Sequence, residues 1–140
     1  MSFDALGELN WLAVIVATVV YFALGGLWYA RPVFGDAWMK SAGIVMQEGQ
    51  RPGPAIYLTP LATGFISVTA IAMLAAATGS DTFGEGIVLG LVVGLGIAVM
   101  ITAVEATFGT RPQPGPWFVI NGAYQLLGLL ISAVSVSVWQ

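Results

Sequence analysis

The 140-residue chain contains no cysteine and no histidine. Without cysteine there is no disulfide, no thiolate nucleophile and no iron–sulfur ligation by thiolate; without histidine there is no imidazole base, no imidazole haem ligand and no Ser-His or Cys-His pair. Charge is nearly as scarce. Charged residues are 8% of the chain against roughly 25% in soluble domains, too few to coat a water-exposed globule. Four basic residues against seven acidic ones give a net charge of −3 and no Lys/Arg patch, so nucleic acid has no electrostatic footprint to bind. What remains is apolar: 58% hydrophobic residues and a mean hydropathy of +0.90. These values imply a single membrane-embedded domain over residues 1–140 that calls for no cofactor and no metal.

Apolar stretches of about 20 residues, the length of a helix crossing a hydrocarbon core, lie at 9–29, 56–78, 86–108 and 117–139. Lipid admits only helices or closed barrels, and these continuous runs lack the alternation of barrel strands. The expected fold is therefore an all-α membrane protein, an antiparallel bundle of four transmembrane helices. The first span is preceded by Asp4 and Glu8 rather than by a basic signal region, which implies that it is retained. Arg31, Lys40 and Arg51 fall between spans 1 and 2, and Arg111 between spans 3 and 4. Basic loops stay in the cytoplasm, so both termini are expected on the far side of the membrane. Trp11 and Trp139 mark one interface, and Trp28, Tyr29, Tyr57 and Trp117 the other. The short loops after spans 2 and 3 predict that span 2 neighbours span 3 and that span 3 neighbours span 4.

The loop after span 1 is longer and mixes Val33, Phe34 and Trp38 with an Asp36/Lys40 pair at i,i+4. This predicts a short amphipathic helix over 34–45, lying in the interface with Trp38 as its anchor. Arg-Pro recurs at 31–32, 51–52 and 111–112, where proline punctuates span ends.

Span 3 carries Gly86, Gly90, Gly94, Ala98, Thr102 and Ala106 at every fourth position. Such a groove lets another backbone approach closely, which places span 3 at the bundle centre or at an oligomer interface. Span 4 carries Asn121, Gln125, Gly128, Ser132 and Ser135 in steps of 4 and 3, a polar face that avoids lipid. Thr59, Thr63 and Ser67 form a weaker version on span 2. Both stripes can serve as hydrogen-bonded helix glue or as a polar pathway. Glu105 is the one ionisable residue inside a predicted span. It lies level with Asn121, with Arg111 and Arg31 at the boundary, so the expectation is an ion-pair cluster fastening spans 1, 3 and 4, a proton- or cation-coupled site, or an exposed Glu in a span drawn too long. Asp81 and Glu85 read as a solvated turn and helix start.

Asn10-Trp11-Leu12-Ala13-Val14, the run from Tyr21 through Gly25-Gly26-Leu27-Trp28-Tyr29, Phe34-Gly35-Asp36-Ala37-Trp38-Met39-Lys40 and Asn121-Gly122-Ala123-Tyr124-Gln125 together resemble the bacterial membrane-protein family catalogued as domain of unknown function 1761. The resemblance implies a small four-span protein of the inner or plasma membrane and no assigned activity. It directs attention to Asn10, Trp28, Tyr29, Phe34, Trp38, Asn121 and Tyr124. The resulting expectation is a non-enzymatic subunit that meets lipid and self-associates or docks a membrane partner. The alternative is an oligomeric transporter or channel using Glu105, Gln125 and the polar face of span 4, although Gln125 is near the midplane and Glu105 is not.

Overall fold

The computed structural model describes residues 2–47 and 49–139. The spanning helices are α1 (Trp11–Trp28), α3 (Ala55–Thr78), α4 (Phe83–Val93) continued by α5 (Met100–Phe108), and α6 (Pro114–Val138). All four spans are long and apolar enough to cross a membrane. A 3-10 turn (Phe3–Gly7) precedes α1, and a short helix α2 (Asp36–Ala42) lies between α1 and α3. No strand occurs among the described residues.

Local chemistry sets the ends. Asn10 caps α1 by accepting from the Ala13 N–H at 3.2 Å, and its amide donates to the Trp139 carbonyl at 2.8 Å, tying the start of α1 to the end of α6. Thr82 and Glu85 form a reciprocal capping box at the start of α4. Pro114 occupies the first turn of α6, where a missing N–H costs nothing, so this helix begins earlier than its apolar run. At the end of α5, Arg111 donates from Nη1 to the Glu105 carbonyl at 2.6 Å, placing a cation on the negative pole of the helix.

α6 is the central helix: 39% of its apolar window is buried, against 22–28% in the other spans. It packs against α1, α3, α4 and α5, and α1 also packs against α3. Span 2 therefore sits mainly on spans 1 and 4 and only marginally on span 3, unlike the sequence-based expectation. Short loops impose closeness at their ends; which faces meet is decided by small side chains. Ala17, Ala75 and Ala133 are fully buried in a core completed by Val14, Val68 and Ile71.

The seam between span 3 and α6 brings backbone against backbone. A Cβ built on Gly86 would stand 2.8 Å from the Val134 Cα, and one on Gly90 would stand 2.7 Å from the Leu130 Cα. The groove is thus filled by this chain's own last helix. A four-residue step overshoots a 3.6-residue turn by about 40°, so the stripe from Gly86 to Ala106 would wind about 200° around a straight helix. A π turn at Gly94–Val99 interrupts it. One extra residue in such a turn takes back about 100°, and Thr102 and Ala106 accordingly remain buried beyond it.

The short helix after span 1 differs from its predicted range of 34–45. A π turn over Arg31–Gly35 leads directly into α2, which stops at Ala42 because Gly43 adopts φ 74, the left-handed conformation that ends helices. It is also docked: the Gln113 N–H donates to the Ser41 carbonyl at 3.2 Å, and Gly43 lies against Pro112. Thr59 and Thr63 are exposed on α3 rather than turned inward, and the Thr63 hydroxyl bonds the Thr59 carbonyl at 2.8 Å. A hydroxyl satisfied on its own helix needs no interior partner.

Gly96 has no atom within 4 Å of a built Cβ, whereas Gly90 meets backbone. Gly90→Leu is expected to destabilise the bundle by about 1–3 kcal/mol or more through overpacking, while Gly96→Leu leaves thermal unfolding in detergent near the parent value. Equal effects of the two substitutions would contradict this seam.

Candidate functional site

The polar face of α6 meets α1 in a cluster of tyrosines and amides toward the end of the bundle that carries the basic residues. Tyr21, buried in mid-span, lays its ring directly on Gly128, where any Cβ would collide with it, and its hydroxyl donates to the Gln125 Oε1. Four residues on, Gly25 clears the Tyr124 hydroxyl, which a Cβ would approach at 2.7 Å. Next along α1, the Trp28 indole N–H donates to the Ile120 carbonyl at 3.1 Å. Just past the helix end, the Tyr29 hydroxyl donates to the Asn121 Oδ1 at 2.8 Å. Asn121 in turn donates from Nδ2 to the Trp117 carbonyl at 2.8 Å. Positions 21, 25 and 28 step by 4 and 3, the spacing that keeps side chains on one helix face.

The rings form a continuous network of tilted and edge-to-face contacts. Tyr124 lies 5.3 Å from Tyr21 and 5.2 Å from Tyr29, the latter edge to face. Trp28 meets Phe34 at 4.6 Å, and Tyr29 meets Trp38 at 5.3 Å. α2 is held to the bundle by these contacts. Aromatic pairs contribute about 0.5–1.5 kcal/mol each beyond burial, and hydrogen bonds between membrane helices about 0.6 kcal/mol on average. The Trp38 indole nitrogen is buried without a hydrogen-bond partner among the described residues, as is the Ser137 hydroxyl near Gly86 at the other end.

The other sequence candidates fall elsewhere. Glu105 is exposed while Thr102 and Ala106 on either side of it are buried, so its carboxylate flanks the bundle instead of entering it. It does not meet Asn121, whose side chain is committed to Tyr29 and Trp117. Arg111 bonds the Glu105 carbonyl rather than the carboxylate, and its guanidinium lies 3.6 Å over the Trp117 ring. Arg31 pairs with Asp36 at 4.0 Å, both side chains being 70% exposed. This is the one ion pair among the described residues. The expected cluster of Glu105, Asn121, Arg111 and Arg31 is therefore dispersed: rise per residue sets depth along a helix, but azimuth is taken by the small residues that the α6 seam demands. Ser132 is buried and Ser135 half-buried, and each spends its hydroxyl on its own helix, at Gly128 and Ile131.

Chemically, the cluster is a lock. The Tyr21 and Tyr29 hydroxyls donate to the Gln125 and Asn121 amide oxygens, and the Asn121 Nδ2 donates to backbone. No group of carboxylates able to hold a metal occurs among the described residues. Tyr21, Gly25 and Gly128 are its central contacts, and sequence reasoning missed the role of the first two. The available signal was Tyr21 itself, a polar-tipped aromatic deep in a span and in phase with Gly25 and Trp28.

A double-mutant cycle of Tyr29→Phe and Asn121→Ala should show coupling of about 0.6 kcal/mol and at most about 1.7 kcal/mol. Gly128→Ala should destabilise by about 1–3 kcal/mol, because the Tyr21 ring must move. Glu105→Gln should leave unfolding unchanged. Coupling of zero, or a destabilising Glu105→Gln, would contradict the geometry.

No curated protein and no solved structure matches the chain. The family described as protein of unknown function (DUF1761) matches residues 12–137. Of the residues that carried the resemblance, Trp28, Tyr29, Phe34, Trp38, Asn121 and Tyr124 converge in the aromatic–amide cluster, whereas Asn10 closes the opposite end of the bundle. With the match running over nearly its whole length, the chain belongs to the DUF1761 family.

Proposed function

We propose that the protein is a non-catalytic, multi-pass membrane subunit that assembles with further copies of itself or with a membrane partner through its outward helix faces. The observation that carries this reading is the closure of the interior: Gln125 accepts from Tyr21 of α1, Asn121 from Tyr29 just past its end, and Ser132 is held by its own helix. What the chain offers its surroundings is apolar helix surface, including Leu91, Val92, Leu95, Ile101 and Val104 of span 3. In this reading the end bearing Arg31, Lys40, Arg51 and Arg111 faces the cytoplasm and both termini lie on the far side. The 14.6 kDa chain is small for a complete transport path, which favours assembly.

A second reading, an oligomeric transporter or channel, draws on the exposure of Glu105. Within one chain Glu105 and the polar face of α6 point apart, so a conduit would form between copies and use Glu105 without Gln125.

Native mass spectrometry of gently extracted protein separates these readings. The expected result is an integer multiple of 14.6 kDa above one, or a complex with a second membrane chain. A monomer alone under conditions that preserve known membrane oligomers would overturn the proposal. Loss of ion or solute flux in Glu105→Gln vesicles with assembly unchanged would favour the transporter.

A further inference from the structure

On the outside of the bundle, α1 and α3 leave between them a groove of about 470 Å³, walled by Ile15 and Val19 on one side and Leu58, Leu61 and Phe65 on the other. Its floor is small, formed by Thr18 and Ala62. The Thr18 hydroxyl is already spent on the Val14 carbonyl at 2.8 Å, so the groove offers a ligand no free donor. An occupant must therefore be a hydrocarbon along its length. Beyond the groove both helices continue to the same end of the bundle, where α1 ends at Trp28, ahead of Arg31 in the chain, and α3 begins at Ala55, after Arg51. Arg31 is highly exposed and only loosely paired with Asp36, at 4.0 Å. Arg51 is exposed and makes no ion pair among the described residues. The opposite end of the chain carries no Lys or Arg and holds Asp4, Glu8, Asp81 and Glu85, so charge gives the groove a direction.

We propose that this groove is a binding site for one anionic phospholipid, with an acyl chain lying between α1 and α3 and the phosphate held by Arg31 and Arg51. Hydrocarbon fills such a groove in any bilayer; the arginines supply the selectivity, because a basic residue near the surface favours anionic headgroups. Apolar walls leading toward the end of the bundle that carries the arginines also distinguish this occupant from a second copy of the chain, whose spans end at that level in the same arginines and would be repelled there if packed parallel.

The test uses the full-length protein in vesicles holding equal amounts of phosphatidylglycerol and phosphatidylcholine with identical acyl chains. After gentle extraction, the retained lipid is quantified by mass spectrometry. The parent should retain phosphatidylglycerol preferentially, by about fivefold for each engaged arginine, and the preference should shrink at high salt. Arg31→Gln with Arg51→Gln should abolish the preference while lipid is still retained. Ala62→Phe, which fills the floor, should reduce retention of both lipids. If that variant does not fold, Ile15→Phe on the exposed wall carries the same expectation. Equal retention of the two lipids by the parent would overturn the proposal, as would a preference that survives loss of both arginines. A shift of Ala62→Phe from dimer to monomer, without loss of lipid, would also overturn it and assign the groove to a second copy.

Discussion

The close approach of the α6 backbone to Gly86 and Gly90 is the contact from which the rest of the fold follows. In hydrocarbon, burial of apolar surface gives helices little reason to associate, so dense contact between backbones has to supply it. Once α6 lies in that groove its rotation about its own axis is set. Leu126, Leu130, Ala133, Val134 and Ser137 face span 3, and the polar positions Asn121, Gln125 and Gly128 face α1. The π turn at Gly94–Val99 belongs to the same constraint, since it keeps Thr102 and Ala106 on the seam that Gly86 begins.

An amide turned toward α1 inside a bilayer needs a partner, and the tyrosines provide one without bringing charge. Tyr21 and Tyr29 each present a large apolar ring to the core and a single hydroxyl to α6, a combination suited to a site that is apolar along its walls and polar at one point. Gly128 is the space that the Tyr21 ring requires, and Gly25 the space that the Tyr124 hydroxyl requires. The interior is thereby closed with neutral groups, while the ionisable residues stay at the two ends or, like Glu105, on the flank. Closure of this kind favours a subunit that acts through its surface, and the cations gathered at one end make that surface directional.

The spans were legible because hydropathy and length suffice to find them: α1, α3 and the composite third span run within a few residues of the apolar stretches. The Arg-Pro pairs mark span ends and the apolar run of span 4 opens only at Trp117, yet Pro114 already begins α6, since the first turn of a helix tolerates what its interior does not. The glycine stripe marked a contact face but not its partner, which depends on packing among all the spans. Glu105 and Asn121 show the same boundary. Their depths follow from rise per residue, whereas their facing depends on azimuth, and the small residues at Thr102 and Ala106 claimed the inward direction. Tyr21 was the least visible, because an aromatic residue within an apolar run reads as core until the notch at Gly128 is seen opposite it.

The central claim, that span 3 is joined to the last helix of its own chain, is open to a direct measurement because the natural sequence has no cysteine. A Cβ at Gly122 would lie 3.8 Å from the Val99 Cγ1, in ordinary van der Waals contact, so the pair Val99→Cys and Gly122→Cys is within reach of a disulfide. Oxidation of this double variant in intact membranes should close the bond within one chain, leaving the mass of a monomer under denaturing, non-reducing conditions. Thiols that stay reduced, or a bond that forms only between chains and doubles the mass, would contradict the account.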